Sequence, residues 1–233
     1  LALAEAHIGE NITLEDAALV GKKYAEEAKV PVVLHLDHGT TPEVIKKAID
    51  LGFSSVMIDA SQDTFEENVR KTKDIIDYAH PKGVVVEAEI GHVGAGENYE
   101  NHETSDSQYT TVEEAKKFAE ETGVDSLAIS IGTAHGMYKG IPEINFDRLK
   151  EIAAAVDTPL VLHGGSSSGD ENLNRCATNG ITKINIFSDL LVAAKEEIDN
   201  NKPETYLDVK ALSKQGMQKC LEHYYAVFET REA

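Results

Sequence analysis

Short aliphatic and β-branched runs alternate with longer amphipathic stretches along the chain, the pattern of parallel strands joined by crossover helices. Seven strands are expected, at residues 1–5, 30–36, 54–58, 83–89, 126–131, 160–163 and 183–186. Between them the apolar period lengthens to that of helices. The stretch 41–51 is one such helix, with Thr41 as its N-cap and Pro42 in its first turn. Similar starts recur at Thr111 and Asp170. No proline- or serine-rich linker interrupts the series, so residues 1–233 read as a single catalytic domain. Repeated strand-helix units at this spacing favour a (β/α)8 TIM barrel. Seven strands are one short of that count, and the chain opens directly on the apolar string LALAE. The expectation is therefore a barrel lacking its N-terminal strand and helix.

Composition narrows the ligands more than the fold. A 233-residue chain with 41% hydrophobic content has material for a substantial core. Its net charge of -19 argues against a nucleic-acid partner or an anionic membrane surface, since both would be repelled. Small molecules are the expected ligands. Cys176 and Cys220 are too few for a disulfide framework and fit a reducing, cytoplasmic compartment. The longest apolar runs are only strand length.

Chemistry gathers where the strands stop. His38, His135 and His163 each stand where an apolar run gives way to glycine, in LHLDHGT, LAISIGTAHGM and PLVLHGGS. Imidazole is the commonest side-chain metal ligand, and three at equivalent chain positions suggest one tri-histidine zinc site with an open fourth position. The central strands end, in order, on Asp37 with His38, Asp59, Glu89, His135, His163 and Asn185. Side chains at the carboxyl ends of parallel strands converge on one face, where barrel active sites lie. Asp37 and His38 are neighbours, so alternation sends them to opposite faces unless the strand ends between them. Gly39 and Thr40 are consistent with such an ending.

The glycines beside the histidines point to an anion. Gly136, Gly164 and Gly165 let the backbone approach a ligand and turn amide groups toward it. The segment GGSSSGDE opens a helix after the penultimate strand, and NIFSD follows the last one. Those two loops form the usual phosphate site of a barrel, and a helix N-terminus lets an acidic protein hold phosphate without a basic patch.

Taken in order, HLDHG at 35–39, GFSSVMIDAS at 52–61, VEAEIG at 86–91, GVDSLAISIGTAHGMYKG, LVLHGGS and KINIFSDL resemble the class II, zinc-dependent ketose-bisphosphate aldolases. This is the family of fructose- and tagatose-bisphosphate aldolases, and the resemblance covers nearly the whole chain. It implies Zn2+ held by His38, His135 and His163, with Asp59 and Glu89 lining an alternative or second metal position. A second divalent ion or a monovalent cation is part of that implication. Asp37 is implied as catalytic acid/base, and Glu97, in GHVGAGE, falls where the family carries a proton-transferring glutamate. Gly136, Gly164, Ser166 and Ser188 are implied to contact substrate phosphate, and Asn185 to contact substrate. The implied reaction is reversible aldol cleavage of a ketose 1,6-bisphosphate to dihydroxyacetone phosphate and glyceraldehyde 3-phosphate, by a homodimer or homotetramer. In the cleavage direction Asp37 takes the C4 hydroxyl proton and Glu97 protonates the enediolate carbon. No lysine Schiff base is required.

Two positions depart from the family pattern. Ala4 stands where many members have a phosphate-contacting serine, and Phe187 with Ser188 replaces the middle pair of the last-strand motif. These departures leave open an altered sugar or phosphate pocket, including a class II aldolase for a different phosphorylated ketose. They also leave open a sugar-phosphate-binding barrel without activity. A barrel metallohydrolase would normally carry a paired histidine motif near its first strand, which this chain lacks. Elsewhere, His35 reads as a buried hydrogen-bonding residue. His7, His80, His102 and His223 read as surface residues; His92 reads as exposed in its glycine-rich loop, with reach into the pocket as the alternative. The stripe over 206–228 reads as core or subunit packing.

Overall fold

The computed structural model describes residues 1–9, 12–91, 109–135 and 140–231. Among the described residues seven strands alternate with seven α-helices, and an eighth helix follows the last of these. The strands are β1 (Ala2–Ala4), β2 (His35–Gly39), β3 (Ser55–Ile58), β4 (Val85–Ile90), β5 (Ser126–Ile129), β6 (Leu160–Leu162) and β7 (Ile181–Ile184). The helices are α1 (Leu14–Glu27), α2 (Pro42–Leu51), α3 (Phe65–Ala79), α4 (Val112–Thr122), α5 (Phe146–Ala155), α6 (Asp170–Thr178), α7 (Ser188–Asn201) and α8 (Tyr206–Val227).

All strands are parallel and lie in sequence order, β1-β2-β3-β4-β5-β6-β7. This corrects the (β/α)8 TIM-barrel expectation. Closing a barrel requires the two edge strands to pair at a fixed stagger. Here β1 and β7 are not hydrogen-bonded to each other, so the described residues form an open, seven-stranded α/β half-barrel. The strand expected at 30–36 is also displaced: the ladder begins only at His35 and runs through Gly39.

Period-two alternation divides the sheet into two unlike faces. Leu36, Val56, Ile58, Val86, Ala88, Ile90, Leu127, Ile129, Leu160 and Leu162 belong to the core cluster that includes Ile45, Ile75, Phe118, Leu149 and Ile152 from the helices. Their intervening neighbours on the opposite face are His35, Asp37, Ser55, Glu87, Glu89 and Lys183, interspersed with the small Ala4 and Ala128. The apolar core thus lies between sheet and helices, and the concave face is left to polar chemistry.

Helix starts follow the threonines. Thr13, Thr64, Thr111 and Thr205 each accept a first-turn backbone N–H, and Thr111 and Thr205 complete capping boxes with Glu114 and Asp208. Thr41 does not cap through its side chain. The Glu5 carboxylate instead accepts the backbone N–H groups of Thr40 and Thr41 at 2.7 and 3.1 Å, tying the segment after β1 to the start of α2. Gly169, not Asp170, occupies the N-cap of α6.

Candidate metal centre

Asp37 and His38 both serve the concave face because β2 bulges. The register with β3 slips between Leu36 and Gly39, and His38 adopts φ 46°, unusual for a residue with a side chain. Its backbone N–H leaves the ladder and faces the Met57 sulfur at 3.4 Å. The sequence expectation of a strand end between the two residues is replaced by an unbroken strand with one extra residue.

Three imidazoles meet at this end of the sheet. The His38 ring lies 4.7 Å from that of His135 and 4.5 Å from that of His163, centroid to centroid, and His135 and His163 are 5.9 Å apart. His38 Nδ1 donates to Asp59 Oδ2 at 2.8 Å, and His163 Nε2 donates to Glu87 Oε1 at 2.8 Å. Both carboxylates are acceptors only, because their pKa values are held down to about 2. Burial pushes the other way. For Asp59 the bonds from His38 and Ser61 outweigh it, and for Glu87 the bond from His163 and the charge of Lys183 do so.

With one nitrogen of each ring committed, His38 Nε2 and His163 Nδ1 face each other at 2.8 Å. At that distance the two nitrogens share a proton when one ring carries it, and when both rings are neutral they offer two lone pairs to a single metal ion. His135 supplies a third nitrogen within 4.8 Å of the other two, so the donor set fits a metal ion with three neutral ligands. Carboxylates on the far nitrogens of His38 and His163 are the outer-shell partners that orient metal-binding histidines. Without a metal, burial opposes charge on His38, but Asp59, Asp37 and Glu89 outweigh it and raise its pKa. His163 is fully buried, and burial lowers its pKa against the pull of Glu87.

The remaining acidic residues ring this centre. Glu89 Oε2 lies 3.6 Å from His163 Nδ1, and Glu89, Asp59 and His38 form a second group of closely spaced donor atoms. Asp37 accepts from the Asn185 amide at 2.9 Å. Burial would raise the Asp37 pKa, but the surrounding His35, His163, His38 and Lys183 hold it well below the usual carboxylate range. His35 is itself buried, with Nδ1 2.7 Å from Ser55 Oγ and Nε2 3.7 and 3.8 Å from Asp37 and Glu87.

Sequence reasoning missed Glu87 and Lys183. Each lies two residues before a residue it did single out, Glu89 and Asn185, and period two puts such pairs on one face. Lys183 Nζ is 3.1 and 2.9 Å from the two Glu87 oxygens, beneath the histidines.

The loop after β6 is joined to the segment after β7. Gly165 N–H donates to Asn185 O at 3.2 Å, and Ser166 Oγ accepts from the backbone N–H of Phe187 at 3.0 Å and of Asp189 at 3.4 Å. Ser166 is therefore engaged with the first turn of α7, whose first residue is Ser188. Asp189 accepts in turn from Ser167 N–H at 2.7 Å, Ser167 Oγ at 3.0 Å and the Tyr224 hydroxyl on α8. Gly164 closes the loop at φ +66°, where its Cα packs against the Ala134 backbone. Phe187 is 52% exposed and sits 5.1 Å from the ring of His7. Glu97, Gly136, His92 and His102 lie outside the described residues. No helix among the described residues is long and apolar enough to cross a membrane.

Known proteins are similar to this chain in sequence and in fold. A family model described as class II fructose-bisphosphate aldolase matches residues 1–233. YdjI of Escherichia coli K12, an uncharacterized protein, is 40% identical over 214 residues, covering 90% of this chain and 77% of its own. The crystal structure titled YdjI aldolase superposes with a TM-score of 0.86 at 35% identity, over 97% of this chain and 80% of that one. A putative fructose-1,6-bisphosphate aldolase from Coccidioides immitis gives 0.79 at 30% identity, over 91% and 77%. Fructose-bisphosphate aldolase from Campylobacter jejuni, at 23% identity and a TM-score of 0.75 over 98% and 81%, shares the fold. With a family match over its full length and a relative at 40% identity, the chain belongs to the class II fructose-bisphosphate aldolase family.

Proposed function

We propose that this protein catalyses metal-dependent, reversible aldol cleavage of a ketose 1,6-bisphosphate, of fructose or tagatose configuration, to dihydroxyacetone phosphate and glyceraldehyde 3-phosphate. The observation that carries the reading is the pair of facing nitrogens on His38 and His163, with His135 alongside and carboxylates behind. A bound Zn2+ would supply positive charge for the oxyanion that carbon–carbon cleavage beside a ketone generates. His38, His135 and His163 would hold it, and Asp59 and Glu89 would line a second position.

The chain's own groups have matching roles. Asp37, ionised and oriented by the Asn185 amide, is the acceptor for the C4 hydroxyl proton. Asn185, Gly164, Gly165, Ser166 and Ser188 cluster where two loops and the start of α7 meet, a setting of backbone amides suited to phosphate. Glu97 and Gly136 keep the roles that the family resemblance implies for them.

A second reading is cleavage of a different phosphorylated ketose. It is favoured by the exposed Phe187, which puts an apolar ring beside His7, two residues after Asn185. The test is a coupled assay for dihydroxyacetone phosphate release from both bisphosphates, repeated with a metal chelator and with a panel of other phosphorylated ketoses. Chelator-sensitive release from a bisphosphate supports the first reading, and release only from the panel supports the second. No release by zinc-loaded protein from any of them refutes both.

A further inference from the structure

We propose that Lys183 and Glu87 act as a positioning pair for the metal centre, Lys183 gripping Glu87 so that Glu87 presents His163 to the ion through Nδ1. This inference rests on the tri-histidine reading above.

Glu87 is 1% exposed and hydrogen-bonds His163 through Nε2, the nitrogen that does not face His38. Its Oε1 receives His163 Nε2–H at 2.8 Å and Lys183 Nζ at 3.1 Å, and its Oε2 receives Lys183 at 2.9 Å. A carboxylate held by both oxygens cannot rotate away from the imidazole, so the His163 ring is fixed in orientation and in tautomer at once. A water or a hydroxyl in place of Glu87 would fix neither, since each can also donate.

The strand geometry makes the pairing specific. Lys183 is in register with Val161, two residues before His163, and β4 carries Glu87 two residues before Glu89. The pair therefore forms a layer directly beneath the metal-binding layer, spanning from β7 to β4 under the end of β6. His35 also neighbours Glu87, with Nε2 3.8 Å from Oε2, too far for a hydrogen bond. Lys183, bonded to both oxygens, is thus the group that sets the carboxylate's position.

The test measures Zn2+ and Co2+ affinity by competition with a chromogenic chelator, with the Co2+ absorption bands recorded, for the full chain and its E87Q, K183M, K183R and K183M/E87Q variants. E87Q should weaken metal binding by about 10- to 100-fold, the usual effect of losing an outer-shell partner. K183M should weaken it measurably, K183R should restore most of the loss, and the Co2+ bands of E87Q and K183M should shift. Because Lys183 acts through Glu87, K183M/E87Q should bind no more weakly than E87Q alone. Wild-type affinity and spectrum in K183M, or losses that multiply in the double variant, would overturn the inference. Should K183M not fold, K183M/E87Q against E87Q decides, with equal affinity supporting and a further tenfold loss refuting. Failure of the wild-type chain to bind either metal would instead sink the tri-histidine reading.

Discussion

Replacing Gly164 by alanine should damage the fold and the metal centre together. A Cβ on Gly164 would stand 2.3 Å from Ala134 O, 2.6 Å from its carbonyl carbon and 3.0 Å from its nitrogen. All three are backbone atoms, which cannot swing aside as a side chain can. Holding a residue with a Cβ in the left-handed region costs about 1–2 kcal/mol. Forcing atoms into a packed site adds typically about 1–3 kcal/mol. G164A should therefore cost roughly 2–5 kcal/mol. Gly83 separates the two contributions, because it has φ +73° and open space around its Cβ position. G83A should show the backbone part alone. Ala134 precedes His135 and Gly164 follows His163, so relieving the clash shifts backbone directly attached to two of the three histidines. The assay is urea unfolding of the metal-free proteins, paired with chelator-competition titration of zinc. If G164A is no less stable than G83A and binds zinc like the wild type, the packing argument is wrong.

Two further outcomes are expected. Asp37→Ala should lower turnover by roughly two to four powers of ten, the usual range for one acid/base group, while metal analysis still finds zinc bound; full activity would remove Asp37 from its role. Asp59 and Glu87 have pKa values of about 2 in the folded protein, below their ordinary 3.8 and 4.5. Their contribution to stability is therefore fully present above about pH 4.5 and lost as pH falls toward 2. The urea midpoint of the metal-free protein should drop across that window, and a D59N/E87Q variant should show a smaller drop. An equal drop in the variant would assign the acid sensitivity to other groups.

Much of this architecture is legible in residue order, but only where local pattern determines the outcome. Strands β3 to β7 fall within two residues of their expected starts, because each is a short apolar alternation bounded by polar residues. The strand at 30–36 misleads because Val30, Val32, Val33 and Leu34 look like a ladder. Pro31 offers no N–H, Val30 and Val33 are exposed, and the pairing residues are those that carry the chemistry. Barrel closure was beyond the pattern, since it depends on whether two edges 180 or so residues apart meet. At the site, the three histidines stand out by type and position. The bulge that aims His38 does not, because a non-glycine residue at positive φ has no compositional signature. Glu87 and Lys183 were available to the same period-two argument, and were hidden by attention to strand ends alone.

The contacts that assemble the site are among the longest-range in the chain. Asn185 and Asp37 are 148 residues apart, and His163 and His38 are 125 apart, whereas each strand of the sheet pairs with its neighbour in sequence. Sheet and helices can therefore grow by successive local closures, but the centre exists only when the two ends of the chain have been brought together. A ligand held by both His38 and His163 acts as a staple across a 125-residue loop, offsetting loop-closure entropy that no strand pairing repays. Occupancy of the centre thus reports the integrity of the whole domain, and partial unfolding at either end should empty it while most of the secondary structure survives.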